Sequence, residues 1–171
     1  LTPDKGFDVL VEAFLRVAAS HPDATLVIAG DGPERDHLAS LAAPLAERVE
    51  LPGRLPSDEV VERMAGARAV VAPSLRPEGA GMTVLEAASV GRPVIVSDDP
   101  ALLATASAVG DPVVVRAGSV DELAAALEQL LSDPARAADA GRVALARIEA
   151  FSTANGVAAL RRIYAGEAPV P

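Results

Sequence analysis

The chain has 171 residues, enough for one domain that buries roughly 70% of the surface its unfolded form exposes. It contains no cysteine, which excludes disulfides, thiolate zinc sites, iron–sulfur clusters and a cysteine nucleophile. A formal charge of −9 and an aromatic content of 2% argue against nucleic acid and anionic membrane surfaces as partners. No apolar run approaches the ~20 residues of a membrane span, and no signal-peptide pattern is present, so a cytoplasmic domain is expected. The chain opens at Leu1, and its only methionines are Met64 and Met82; a piece of a longer protein is expected.

Taken in chain order, short apolar runs alternate with amphipathic stretches. Phe7, Leu10, Val11, Phe14, Leu15 and Ala18 form the stripe of a first helix, and Thr25–Ala29 reads as a strand. Gly30-Asp31-Gly32-Pro33 turns into a helix with Pro33 at its first position. A strand at Val49–Leu51 leads through Pro52-Gly53-Arg54-Leu55-Pro56 to a helix capped by Ser57, with Val60, Val61 and Met64 on its apolar side. Further strands are predicted at Ala69–Ala72, Pro93–Val96 and Pro112–Val115. These runs are β-branched and do not alternate with polar residues, as strands covered on both faces should be. Ser119 and Glu122 form a capping box for a helix through Leu131, and Asp133-Pro134 open another that ends near Phe151. Strand–helix alternation of this kind predicts an α/β fold, a Rossmann-like parallel sheet with helices on both faces. Residues 1–151 form the domain, and 152–171 a terminal helix and tail.

In an open parallel sheet, ligands bind beyond the carboxyl ends of the strands. The Gly30–Gly32 turn lies at such a position, although turns of this composition also serve only to reverse a chain. The segment after Ala69–Ala72 is more distinctive. There, the small residues Gly79-Ala80-Gly81 run straight into a helix beginning near Met82 and Thr83. Unpaired amides and the helix dipole at such an end attract an anion, and the lack of bulk admits a diphosphate. Glu78 enters the loop. Glu86 lies among Val84, Leu85, Ala87 and Ala88, where a buried carboxylate would need a partner. Exposure, an arginine or a hydroxyl-rich ligand such as a ribose would each satisfy it.

Glu78 and Glu86, with seven residues between them, resemble the E-x7-E motif of retaining nucleotide-sugar glycosyltransferases with the two-domain GT-B fold (family 4, group 1). The blocks Pro3–Asp8, Ile28–Arg35, Val49–Leu55 and Ala72–Asp98 are similar, in order, to the donor-binding half of that family. The tail with Phe151-Ser152 and a final helix ending in Tyr164 follows the same pattern.

The resemblance implies a role for each matching residue. Lys5 and Glu78 would be catalytic: Lys5 offsets charge on the departing diphosphate, and Glu78 accepts from sugar hydroxyls. Amides of Gly79, Ala80, Gly81 and Met82 would hold phosphate and sugar oxygens, and Glu86 the ribose. Main chain at Arg54 and Leu55 would meet the base, with Gly30 and Gly32 on the cleft floor. No cofactor and no metal are implied. The partners implied are a nucleotide-sugar donor and an N-terminal acceptor-binding domain, with no direct membrane segment.

The sequence also departs from the pattern. The family's arginine, and the strand it follows, would precede Leu1, so the strand joining two half-sheets is expected to be absent. Asp98–Leu103 replaces the usual glycine pair and glutamate. Among possible decoys, His21 and His37 are expected to be structural and solvated. Asp98-Asp99 is expected to cap a helix rather than bind magnesium, and Arg161-Arg162 to lie at the surface. Two other functions fit the same resemblance or the same acidic fold: a sugar-nucleotide 2-epimerase, and a non-catalytic nucleotide-binding or interaction domain.

Overall fold

The computed structural model describes residues 1–79, 81–152, 154, 155, 157 and 161. Five strands and seven α-helices are defined among the described residues and alternate along the chain. They are α1 (Phe7–Val17), β1 (Leu26–Ala29), α2 (Arg35–Ala42), β2 (Val49–Gly53), α3 (Ser57–Gly66), β3 (Val70–Ala72) and α4 (Met82–Ser89). They continue with β4 (Val94–Ser97), α5 (Pro100–Val109), β5 (Val113–Val115), α6 (Val120–Ser132) and α7 (Pro134–Arg147). A 3-10 turn at Pro3–Lys5 precedes α1, and another at Ile148–Phe151 follows α7. The α/β alternation is as the sequence predicts. The terminal helix reaching Tyr164 lies outside the described residues.

All strand pairs are parallel, but they form two sheets, β1-β2 and β3-β4-β5, with no ladder between β1 and β3 among the described residues. Placed side by side, the order β2-β1, then β3-β4-β5, is a Rossmann sheet without its central strand. Only β4 is buried along its whole length. Val27 and Ala29 of β1 are exposed while Ile28 between them is buried, so one face of this strand is left uncovered. The prediction of strands covered on both faces therefore holds for β4 and fails for β1.

Side-chain packing holds the two sheets together. Alternate residues of β4 serve its two faces: Val94 and Val96 join α4, α5 and α7, whereas Ile95 faces α1 and α6. Leu10, Val11, Ala13, Phe14 and Val17 of α1 pack in one apolar cluster with Ile28 of β1 and with Ile95 and Val115 of the other sheet. Thus α1 spans the division. Burial of its five apolar side chains contributes on the order of 1.5–3 kcal/mol for each large one. Arg48 secures the far end of α1. Its guanidinium donates to the carbonyls of Ala18, His21 and Ala24 and stacks over Phe14 at 5.6 Å.

Several local predictions need correction. Strand β2 runs on through Pro52 and Gly53, because one extra residue on β2 between the pairs Val27–Glu50 and Ala29–Gly53 places the proline in a bulge. Pro33 lies in the turn ahead of α2, and Ser57 is already helical, with Pro56 in the capping position. Ser119 does cap α6, accepting from the amide of Glu122 at 3.3 Å. The reciprocal half of the box is missing, since the Glu122 carboxylate takes the amide and guanidinium of Arg116 instead. That pairing holds its carboxyl below the usual range, chiefly through the Arg116 amide.

Candidate active site

A cavity of about 480 Å³ opens at the carboxyl ends of β1 and β3, bordered by Ala29 and Gly30 on one side and Val71 and Ala72 on the other. Two short segments form its chemical wall: the turn Pro3–Lys5, and the loop from Pro73 to the start of α4. They are tied together. The amide of Leu75 donates to the Asp4 carbonyl at 2.8 Å. Gly6 lies so close to the loop that a Cβ there would stand 2.2 Å from the Pro73 carbonyl oxygen. With φ at +66°, this position suits glycine on conformational grounds as well.

This junction brings Lys5 to Glu78 across 73 positions of sequence: Lys5 Nζ donates to Glu78 Oε1 at 2.6 Å. The buried Ser74 hydroxyl donates to the same oxygen. Glu78 retains 23% side-chain exposure and borders the cavity. Burial pushes its carboxyl up, but the hydrogen bonds from Lys5 and Ser74 outweigh that and leave it below the ordinary value. On the same turn, the Asp4 carboxyl is held low, mainly by a hydrogen bond from Thr2.

The loop ends at Gly81, φ +62°, which precedes α4 without any side-chain cap. The amides of Met82 and Thr83 have no acceptor among the described residues, so this end of α4 offers free donors beside the cavity. The arrangement can receive an anion at the helix end and hydroxyl donors at Glu78, with Lys5 already paired to that carboxylate. Among the described residues, no group of three His, Asp or Glu side chains could hold a metal ion.

Of the residues singled out in the sequence, Lys5, Gly30, Glu78, Gly79, Gly81 and Met82 border the cavity. Ala80 lies outside the described residues. Gly32, Arg54, Leu55 and Glu86 are not among its lining. Gly32 is packed against Leu1, whose backbone would lie 2.3 Å from an added Cβ. Glu86 shares the exposed face of α4 with Met82, Thr83 and Ser89, so its apolar sequence neighbours do not bury it. Its carboxylate has no partner among the described residues. Ser74 was missed. Its one sequence signal is position, two residues past the end of a strand that points at the crevice. Asp99 caps α5 through the amides of Ala101 and Leu102, each at 3.0 Å, and Asp98 accepts from the Ala117 amide. His37 is exposed, and His21 Nε2 lies 3.0 Å from Glu128 Oε2 without hydrogen-bonding alignment.

Parallel strands with helices on both faces, and a cleft at the strand ends, define a Rossmann-like architecture, here in the form seen in GT-B proteins. The chain belongs to the family of glycosyl transferases group 1, whose model matches residues 1–147. It is 36% identical over 157 residues to the GDP-mannose-dependent monoacylated alpha-(1-6)-phosphatidylinositol monomannoside mannosyltransferase of Corynebacterium glutamicum, covering 88% of this chain and 41% of that protein. It is 34% identical over 134 residues to the 2-deoxystreptamine glucosyltransferase of Streptomyces kanamyceticus, covering 77% of this chain and 34% of that protein. Among solved structures, sucrose-phosphate synthase from Thermosynechococcus elongatus superposes with a TM-score of 0.79 at 26% identity, over 97% of this chain and 44% of that one. The chain thus spans about two fifths or less of the curated relatives it matches. Among the described residues, no helix is long and apolar enough to cross a membrane.

Proposed function

We propose that this chain is the donor-binding half of a retaining glycosyltransferase of the E-x7-E type, family 4. The intact protein would move a sugar from a nucleotide diphosphate sugar to an acceptor hydroxyl in the cytoplasm. An N-terminal domain of the same protein would bind the acceptor. The observation that carries this reading is the placement of Lys5 and Glu78 on one wall of a cavity that adjoins an uncapped helix end. The names of relatives, one GDP-mannose-dependent and one a glucosyltransferase, support the donor class.

In this reading the diphosphate accepts from the amides at Gly79, Ala80, Gly81 and Met82, where the helix dipole favours negative charge. Lys5 exchanges part of its bond to Glu78 for the diphosphate, and its charge stabilises the departing nucleotide. Glu78, acceptor-only when ionised, holds sugar hydroxyls. Glu86 reaches the ribose and main chain at Arg54 and Leu55 the base, over a floor that includes Gly30 and Gly32. No metal or cofactor is assigned a role, since Lys5 and the helix amides supply the positive charge.

Calorimetry and donor turnover on the intact protein test this assignment. Glu78→Gln is expected to lower turnover of the sugar nucleotide by 10-fold or more while leaving the Kd for bare nucleoside diphosphate within about 2-fold. Lys5→Ala is expected to weaken both. Equal turnover in Glu78→Gln and wild type would remove Glu78 from the site.

A further inference from the structure

We infer that Ser74 is a positioning residue, which holds Glu78 in place when a diphosphate draws Lys5 away. The inference rests on the functional reading above and concerns how its central carboxylate is kept in register. Lys5 Nζ and Ser74 Oγ both donate to Glu78 Oε1, whereas Oε2 has no donor among the described residues. A carboxylate oxygen has two lone-pair sites, so Oε1 is filled and Oε2 is left for a ligand hydroxyl. The orientation of the carboxylate is therefore set by which donors occupy Oε1.

The two donors differ in permanence. Lys5 is 41% exposed on a flexible stem, carries the only positive charge touching Glu78 among the described residues, and is the group an incoming diphosphate would attract. Ser74 is 4% exposed, four residues from Glu78 in the same loop, and uncharged. A diphosphate has little electrostatic pull on it. Its single hydroxyl proton is committed to Glu78, and the buried Pro73 ahead of it, against Gly6, fixes the backbone from which it reaches. When Lys5 turns toward the ligand, Ser74 remains as the donor that keeps Oε1 occupied and Oε2 presented. Misplacement of a reacting or positioning group by about 1 Å can cost 10²-fold in rate, which sets the scale of what such an anchor protects.

The charged groups facing Glu78 are Lys5, which favours its ionised form, and Asp4, which opposes it. Removal of the Ser74 donor leaves the carboxylate less stabilised, so its protonation moves to higher pH.

The test uses the intact protein with GDP-mannose, UDP-glucose, ADP-glucose and dTDP-glucose as probes, reading release of nucleoside diphosphate and binding of the matching bare diphosphate. In Ser74→Ala, kcat should fall 10- to 100-fold, KM should change less than kcat, and the Kd for bare diphosphate should stay within about 2-fold. The acid limb of the kcat profile should move to higher pH, and Ser74→Thr should restore it in part. A second measurement does not depend on how well the threonine fits. In a Glu78→Ala background, Ser74→Ala should cost nothing further, because the group it positions is gone. An equal loss in both backgrounds, an unchanged kcat, or a parallel loss of bare diphosphate binding would each overturn the role of Ser74 and leave the functional reading standing. A wild-type protein that neither binds nor turns over any probe would overturn that reading, and this inference with it.

Discussion

At the scale of single residues, the ion pair of Lys5 with Glu78 makes the site sensitive to acid. The folded carboxyl of Glu78 titrates below its ordinary value of 4.5, while in the unfolded chain it returns to that value. Its contribution to stability is therefore complete above the unfolded value and fades as pH falls through the depressed folded one. Denaturant midpoints of wild type and Glu78→Gln should differ at pH 7 and draw together as pH falls from 4.5 through the depressed folded value; a gap that does not change over that acid range would mean that the pairing does not persist in solution. The resemblance brought both residues to one donor site, but local sequence patterning could not show that they touch, because 73 residues separate them and the fold supplies the contact. Glu86 was misleading for the opposite reason. Its neighbours Leu85 and Ala87 are apolar, but they point elsewhere around α4, and the residues that share its face are Met82, Thr83 and Ser89.

Among elements, the junction between the Pro3–Lys5 turn and α1 matters most, since it joins the two walls of the cavity. Gly6→Ala would place a methyl 2.2 Å from the Pro73 carbonyl oxygen at a φ of +66°. A cost of about 2–5 kcal/mol is expected from the left-handed conformation and the overpacking together. Chemical denaturation should show that loss, and bare nucleoside diphosphate should bind more weakly as Lys5 is pushed from the loop. Wild-type stability in this variant would refute the close approach. Element positions themselves were largely legible. Short β-branched runs bounded by glycine and proline marked all five strands to within a residue or two. Asp99 ahead of Pro100 marked the cap of α5. Where the reading slipped, a distant group competed with a local one: Arg116 captured Glu122 from its capping box, and Pro52 was absorbed by a bulge that only strand pairing creates.

For the molecule as a whole, the division into β1-β2 and β3-β4-β5 sets a gradient of protection. Among the described residues, strand β4 is bonded on both sides and buried throughout, whereas β1 is bonded on one side and half exposed. Amide exchange measured by NMR should be slower in β4 than in β1 by at least 10-fold, following local rather than global opening. Equal protection in both would indicate that the two sheets open as a single unit. The parallel α/β class was legible from the alternation of strands with helices, whereas the strand order was not. What alternation does not reveal is the role of α1, whose one apolar face serves both sheets.

That arrangement also couples the two walls of the cleft. Within a sheet, neighbouring strands are fixed at about 4.8 Å by their hydrogen bonds, a stiff and quantised spacing. Between β1 and β3 no such rung exists among the described residues, and the cavity borders both. There the two walls meet through α1, whose Leu10, Val11 and Phe14 share one apolar cluster with Ile28 on one side and Ile95 on the other. Trimming those side chains would therefore loosen both walls of the cleft at once.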